Sequence, residues 1–116
     1  MTIFDTSAVL DMLRRKSFEL GSISAITLIE VIRGLSSEKR KAIKRLLEES
    51  FEVLYLDNDT VLEYCRLYES LKKKGELLPD ADLLVAATAS ARGEELVTKE
   101  RHFSKLAELG VKVKLL

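Results

Sequence analysis

Apolar and polar positions along this chain switch repeatedly between a period of two and a period near 3.6, and the switches fall at turn-forming residues. Thr2-Ile3-Phe4 is a short apolar start that predicts a strand. Thr6 to about Lys16 predicts a helix with Val9, Leu10 and Leu13 on its inner face, and its basic end suits the negative pole of the helix dipole. Ser22-Ile23-Ser24 reads as a short strand or a turn, and Ala25 to Arg33 as a helix stopped by Gly34. Ser36 or Ser37 is placed to cap a helix running through Ser50, with Ile43, Leu46 and Leu47 inward. Phe51 to Leu56 alternates and predicts a strand. Asp57 or Asn58 then caps a long helix whose inward face is expected to carry Val61, Leu62, Cys65, Tyr68 and Leu71. Pro79-Asp80 opens an alanine-rich helix, Leu96-Val97-Thr98 is a strand, about His102 to Leu109 is a helix, and Val111 to Leu115 alternates as a final strand. Gly34, Gly75, Gly93 and Gly110 each follow a helical stretch, where a C-terminal cap favours glycine.

Strands alternating with helices predict an α/β fold, a parallel sheet covered on both faces. At 116 residues, with no repeat or linker, one domain spanning residues 1–116 is expected. Hydrophobic residues make up 47% of the chain, which excludes a disordered protein, and no apolar run is long enough to span a bilayer. Asp5 and Asp11 interrupt any N-terminal apolar stretch, which argues against a secretory signal. The single cysteine, Cys65, makes neither an internal disulfide nor a structural zinc site. A cytoplasmic location is the expectation. Lysine plus arginine and aspartate plus glutamate number 19 each, so global attraction to nucleic acid is absent. That average says nothing about any one edge of the fold.

In parallel sheets, sites form at the carboxyl ends of strands. This rule selects among the acids. Asp5 directly follows the first strand, where it suits both a helix cap and a site. Glu30 is the only charged residue between Gly21 and Ile32; it either pairs with Arg33 at helical spacing or serves a site. Of Asp80 and Asp82, Asp80 beside Pro79 is the better ordinary cap, and Asp82, about a turn inside an apolar run, is the better ligand. Glu100 follows the Leu96–Thr98 strand by two residues. Carboxylates gathered without basic partners repel one another, and a hard divalent cation such as Mg²⁺ is the usual remedy.

Four stretches, Phe4-Asp5-Thr6-Ser7-Ala8, Ser24 to Glu30, Pro79 to Ala89 and Leu96 to Phe103, resemble those of a PIN domain, and more narrowly those of the VapC toxin ribonucleases of toxin–antitoxin pairs. The resemblance covers essentially the whole chain. It implies a three-layer α/β/α sandwich and a Mg²⁺- or Mn²⁺-dependent endoribonuclease acting on RNA. It also implies a homodimer and a cognate VapB-type antitoxin. Carried over by position, the family's acids fall on Asp5, Glu30, Asp82 and Glu100, as catalytic and metal-binding residues. Glu100 is a departure, since aspartate or asparagine is usual there. The family's small hydroxyl residues fall on Thr6 or Ser7 and on Thr98. Arg14, Arg15, Arg33, Lys99 and Arg101 are candidates to contact RNA. A catalytically weak PIN-like binding module, or an RNA-processing nuclease without an antitoxin, is the alternative. A receiver-type signalling domain also clusters acids at a sheet edge, but Asp5 lacks the acidic neighbour that fold requires. His102 is expected in a surface or capping role, Cys65 in the core, and Tyr64 and Tyr68 in packing or a dimer contact.

Overall fold

The computed structural model describes residues 1–116. The elements follow in the order β1 (Thr2–Phe4), α1 (Thr6–Arg15), β2 (Ser22–Ser24), α2 (Ala25–Arg33), α3 (Ser37–Ser50), β3 (Glu52–Leu54), α4 (Asn58–Lys74), α5 (Asp80–Ala91), β4 (Glu95–Thr98), a 3₁₀ segment (Arg101–Leu109) and β5 (Val113–Leu115). All four strand pairings are parallel, in the spatial order β3-β2-β1-β4-β5. The chain winds outward from β1 to β3, then crosses back beside β1 and winds the other way. The reversal opens a crevice between the carboxyl ends of β1 and β4. Asp5 leaves β1 there, and its N–H continues the ladder to the Val97 carbonyl at 3.1 Å.

The pleat sorts each strand between two cores. Phe4, Ile23 and Val97 stand in register and pack with Val9, Met12, Leu28 and Leu47 from α1, α2 and α3. Ile3 and Leu96, one residue back, pack with Leu67, Leu71, Leu83, Phe103 and Leu106 from α4, α5 and the 3₁₀ segment. The three-layer α/β/α sandwich expected of the sequence is the fold observed. In α5, Ala86, Ala87 and Ala89 are fully buried, as the small-residue run suggested.

Several local expectations change. In α4 the buried positions are Thr60, Leu67 and Leu71, whereas Val61 and Leu62 are 51% and 70% exposed and Cys65 is exposed, not core. The helix carries two apolar stripes, and the sheet side covers only one. In α1, Met12 and Ala8 join Val9 inside and Leu10 turns outward; in α3, Leu46 lies at the surface. Phe51 ends α3 as a buried C-cap, so β3 starts one residue later and stops before the exposed Tyr55 and Leu56. The last helical stretch is 3₁₀, and β5 starts at Val113. Asp80 is no cap: Pro79 holds the N-cap position without a side-chain bond, and Asp80 accepts a 2.6 Å bond from the Tyr64 hydroxyl. Gly75, Gly93 and Gly110 adopt the left-handed cap conformation, but Gly34 does not.

Candidate metal centre

β1 ends at Phe4, and Asp5 caps α1 with Oδ1 accepting from the Ala8 N–H at 3.0 Å and from the Ser7 hydroxyl at 2.7 Å. Its Oδ2 accepts from the Thr98 hydroxyl at 2.6 Å, across the β1–β4 seam. Three bonds leave part of the carboxylate free to accept more. The cap and site readings of Asp5 therefore describe one side chain. Asp5 is only 3% exposed. Burial pushes its carboxyl above the ordinary aspartate value; the Thr98, Ala8 and Ser7 bonds pull it back, and the Glu100 charge adds to the rise.

Glu30 reaches the same place from α2. Its Oε1 accepts from the Thr6 hydroxyl at 2.7 Å, and Oε2 lies 3.6 Å from the Arg33 guanidinium, which is mostly exposed. Both uses weighed for Glu30 thus coexist. Asp82 enters from the first turn of α5. Burial raises its carboxyl above the usual value; His102 opposes this, while the charges of Glu30 and Asp5 reinforce it. Glu100, at the mouth, places its N–H on the Thr98 hydroxyl at 2.9 Å and leaves its carboxylate half exposed.

These side chains share one cavity of about 270 Å³, lined by Asp5, Thr6, Ser7, Leu10, Glu30, Asp82, Glu100 and His102. The four acids named from sequence are brought together by four different elements, and no lysine or arginine lines the cavity. Thr6, Ser7 and Thr98 are also where they were expected, each holding a carboxylate. His102 is a correction: its Nε2 lies 3.1 Å from Asp82 Oδ2, and its Nδ1 lies 3.9 Å from Glu100. Its position two residues past Glu100 was the available signal. Thr27, fully buried with its hydroxyl 3.3 Å from that of Thr6, was also missed.

The basic candidates divide. Arg14, Arg15 and Lys99 converge on Asp11, at 3.1, 2.8 and 3.2 Å, and hold its carboxyl well below the usual range. The Lys99 N–H also binds the Ser7 hydroxyl at 2.9 Å, so this cationic group flanks the cavity. Arg33 leans on Glu30, and Arg101 is exposed.

Four carboxylates with shared charge suit a hard divalent cation. No three of the cavity's groups converge closely enough to enclose an ion by themselves. Such an open arrangement leaves room for water in the shell of a bound cation, unlike a closed structural site.

The sheet order, the crevice at its reversal and the acids gathered there define a PIN domain, and the family model for the PIN domain matches residues 2–109. This chain belongs to the PIN-domain family. It is 38% identical over 115 residues to Ribonuclease VapC1 of Methanocaldococcus jannaschii, a match covering 96% of this chain and 85% of that protein. Its fold is that of VapBC-1 from nontypeable Haemophilus influenzae, with a TM-score of 0.83 at 22% identity over 98% of this chain and 96% of that one. It also matches DNA-bound VapBC from Salmonella typhimurium, with a TM-score of 0.84 at 24% identity over 97% and 96% of the two chains. VapBC-5 from Mycobacterium tuberculosis, a member of the VapBC family of toxin–antitoxin systems, matches with a TM-score of 0.73 at 23% identity over 99% and 96%.

Proposed function

We propose that residues 1–116 form one PIN unit acting as a VapC-type, Mg²⁺- or Mn²⁺-dependent endoribonuclease, the toxin of a pair with a VapB-type antitoxin. The observation that carries this reading is the cavity itself: Asp5, Glu30, Asp82 and Glu100 line it with no lysine or arginine. The 38% identity to a ribonuclease supports RNA as the substrate. Asp5 and Asp82 would hold the ion, with Glu30 and Glu100 completing its surroundings directly or through water. The chemistry such an ion supplies is activation of water and neutralisation of charge on a phosphate. The chain's own residues do the rest. Thr98 and Ser7 fix the Asp5 carboxylate, Thr6 fixes Glu30, and His102 holds Asp82. Arg14, Arg15 and Lys99 beside the cavity, with Arg33 and Arg101 at its margins, draw an anionic strand toward it. Glu100, the most exposed of the four acids, is placed to accept a proton from an attacking water.

An antitoxin partner is supported by an apolar groove between α2 and α3. Leu28, Ile29 and Ile32 floor it, Arg33, Arg40 and Lys44 rim it, and its volume is about 300 Å³. Such a groove suits an apolar segment carrying acids. The protein would work in the cytoplasm as a homodimer; no helix is long and apolar enough to cross a membrane.

Unstructured RNA incubated with the protein and Mn²⁺ should be cut internally, and a chelator should stop the cutting. Cleavage that continues undiminished in chelator would sink the metal-dependent reading. The half-exposed Glu100 favours the second reading, a PIN-like binding module. A calorimetric titration showing no Mn²⁺ binding at millimolar concentration would support that module instead. An RNA-processing role would be favoured by the absence of a small antitoxin reading frame beside the gene.

A further inference from the structure

Asp11 lies on α1 one turn beyond Ser7, on the same face, and pairs with three cations at once. Arg14 and Arg15 follow it at the spacing of ordinary helical ion pairs, at 3.1 and 2.8 Å. Lys99 does not. It comes from the carboxyl end of β4, 88 residues away in sequence, and places Nζ 3.2 Å from Oδ1. Steadying α1 does not call for that third cation. Asp11 is also the least exposed of the group, its side chain 20% exposed against 70%, 48% and 42% for Arg14, Arg15 and Lys99. The acid sits behind, and the cations meet solvent.

The group is unbalanced. Three positive charges meet one carboxylate, and the other acid paired with any of them, Glu19, stands 3.8 Å from Arg15 and is mostly exposed. Arg14 commits one terminal nitrogen to Asp11, and Lys99 one of its three ammonium protons; neither side chain has another acceptor within the chain. Donors gathered on one acid and left without further acceptors suit the oxygens of a phosphate. The group also adjoins the cavity. The Lys99 N–H binds the Ser7 hydroxyl at 2.9 Å, and both Ser7 and Leu10, next to Asp11, line the cavity. Helical rise sets Asp11 about 6 Å along α1 from Ser7, beside the cavity and not inside it.

We propose that Asp11 is a positioning residue for RNA, holding Arg14, Arg15 and Lys99 together as a seat for a phosphate of the strand next to the one in the cavity. This rests on the proposed nuclease function and gives a role to an acid that function leaves out. Arg14 and Lys99 contact the phosphate, and Asp11 acts only through them. The seat meets backbone and no base, so it fixes where the strand lies across the cavity and adds no sequence preference.

The sign of one substitution separates a seat from a diffuse field. Asp11→Asn makes the chain more positive, so attraction by net charge alone would tighten RNA binding. A seat that loses its acid should instead weaken binding about fivefold, because the repelling cations no longer share one arrangement. Binding is read by fluorescence anisotropy of a labelled unstructured RNA in Mn²⁺, on chains that also carry Asp82→Asn so that the probe is not cut. The slope of log affinity against log salt should fall by about 0.7, one phosphate contact on a single strand. In chains with Asp82 intact, Asp11→Asn should raise KM about fivefold and leave kcat within about twofold, and Asp11→Glu should recover part of the loss. Lys99→Met should weaken binding to a similar degree, and the double variant should lose less than the product of the two, since both remove one seat. Circular dichroism checks the fold of each variant. Binding that is unchanged or tighter in Asp11→Asn would overturn the seat even if the wild-type chain cuts RNA. A wild-type chain that cuts no RNA, but whose binding falls on Asp11→Asn, would overturn the nuclease function and keep the seat.

Discussion

Asp5 carries two duties that pull its chemistry in opposite directions. As the α1 cap it wants to stay charged and bonded, and its three hydrogen bonds favour that form. As a buried acid near Glu100 it is pushed toward protonation, and that push prevails. Replacing it with alanine would remove the cap as well as the proposed metal ligand, at a cost of about 1–2 kcal/mol of stability. Asp5→Asn keeps a capping oxygen and is the cleaner probe of chemistry. Asp82 allows a test of the electrostatic cost alone. Its carboxyl is raised in the fold, so the folded chain holds that proton more tightly than the unfolded chain. The associated stability is complete below the unfolded value near 3.8 and is lost as pH rises through the folded value. Without metal, Asp82→Asn should therefore raise the thermal midpoint relative to wild type at neutral pH, and the gain should vanish in acid. Calorimetric scans at several pH values in chelator check this; equal gains at pH 3 and 7 would contradict it. Thr98→Val leaves Asp5 without one of its three hydrogen-bond donors and should cost about 10–100-fold in metal affinity or RNA cleavage, measured by Mn²⁺ titration and turnover. The acids were legible in the sequence because each follows a strand end or breaks an apolar run. His102 was legible only through its place two residues past Glu100, because its closer partner Asp82 lies 20 residues away and no spacing rule joins those two.

Four helical elements end in the same way, and only one does so without glycine. At Gly75, Gly93 and Gly110 the capping residue has φ of 69°, 64° and 90°, and the following N–H reaches back to close the helix end. At the end of α1 the same geometry falls on Lys16, with φ of 54°; its N–H meets the Leu13 carbonyl and Ser17 meets Met12. A side chain resists this conformation. Lys16→Gly should stabilise the protein by about 0.5–1 kcal/mol in chemical denaturation, and a loss of stability would contradict the strain. Gly21 answers to a different constraint. An added Cβ would sit 2.5 Å from Phe4 Cε2 and 2.9 Å from the Thr2 carbonyl oxygen. Gly21→Ala should cost about 1–3 kcal/mol on the same measurement, because the backbone of β1 has no room to yield. The caps at Gly75, Gly93 and Gly110 were legible because glycine marks them, and the one at Lys16 was not. The α4 face was not, because Val61, Leu62 and Cys65 are as apolar as the residues that are buried, and only tertiary packing decides which stripe meets the sheet.

At the scale of the whole molecule, the alternation of strands and helices announced a parallel sheet, but it did not announce the order β3-β2-β1-β4-β5. That order decides the chemistry, since it sets the ends of β1 and β4 side by side and so brings Asp5 to Thr98. The zero net charge also resolves into parts. Four acids line one cavity, while Arg14, Arg15 and Lys99 gather around Asp11 at its flank. Under the proposed function, an anionic strand would be drawn by the flank and repelled by the cavity until a cation is bound. The most direct measurement is the rate of RNA cleavage at saturating Mn²⁺ for the wild-type chain and for Asp82→Asn. The account predicts a fall of about 10³-fold, several kcal/mol of lost charge stabilisation, with the fold intact. Rates within about threefold of each other, a difference well under 1 kcal/mol, would contradict it.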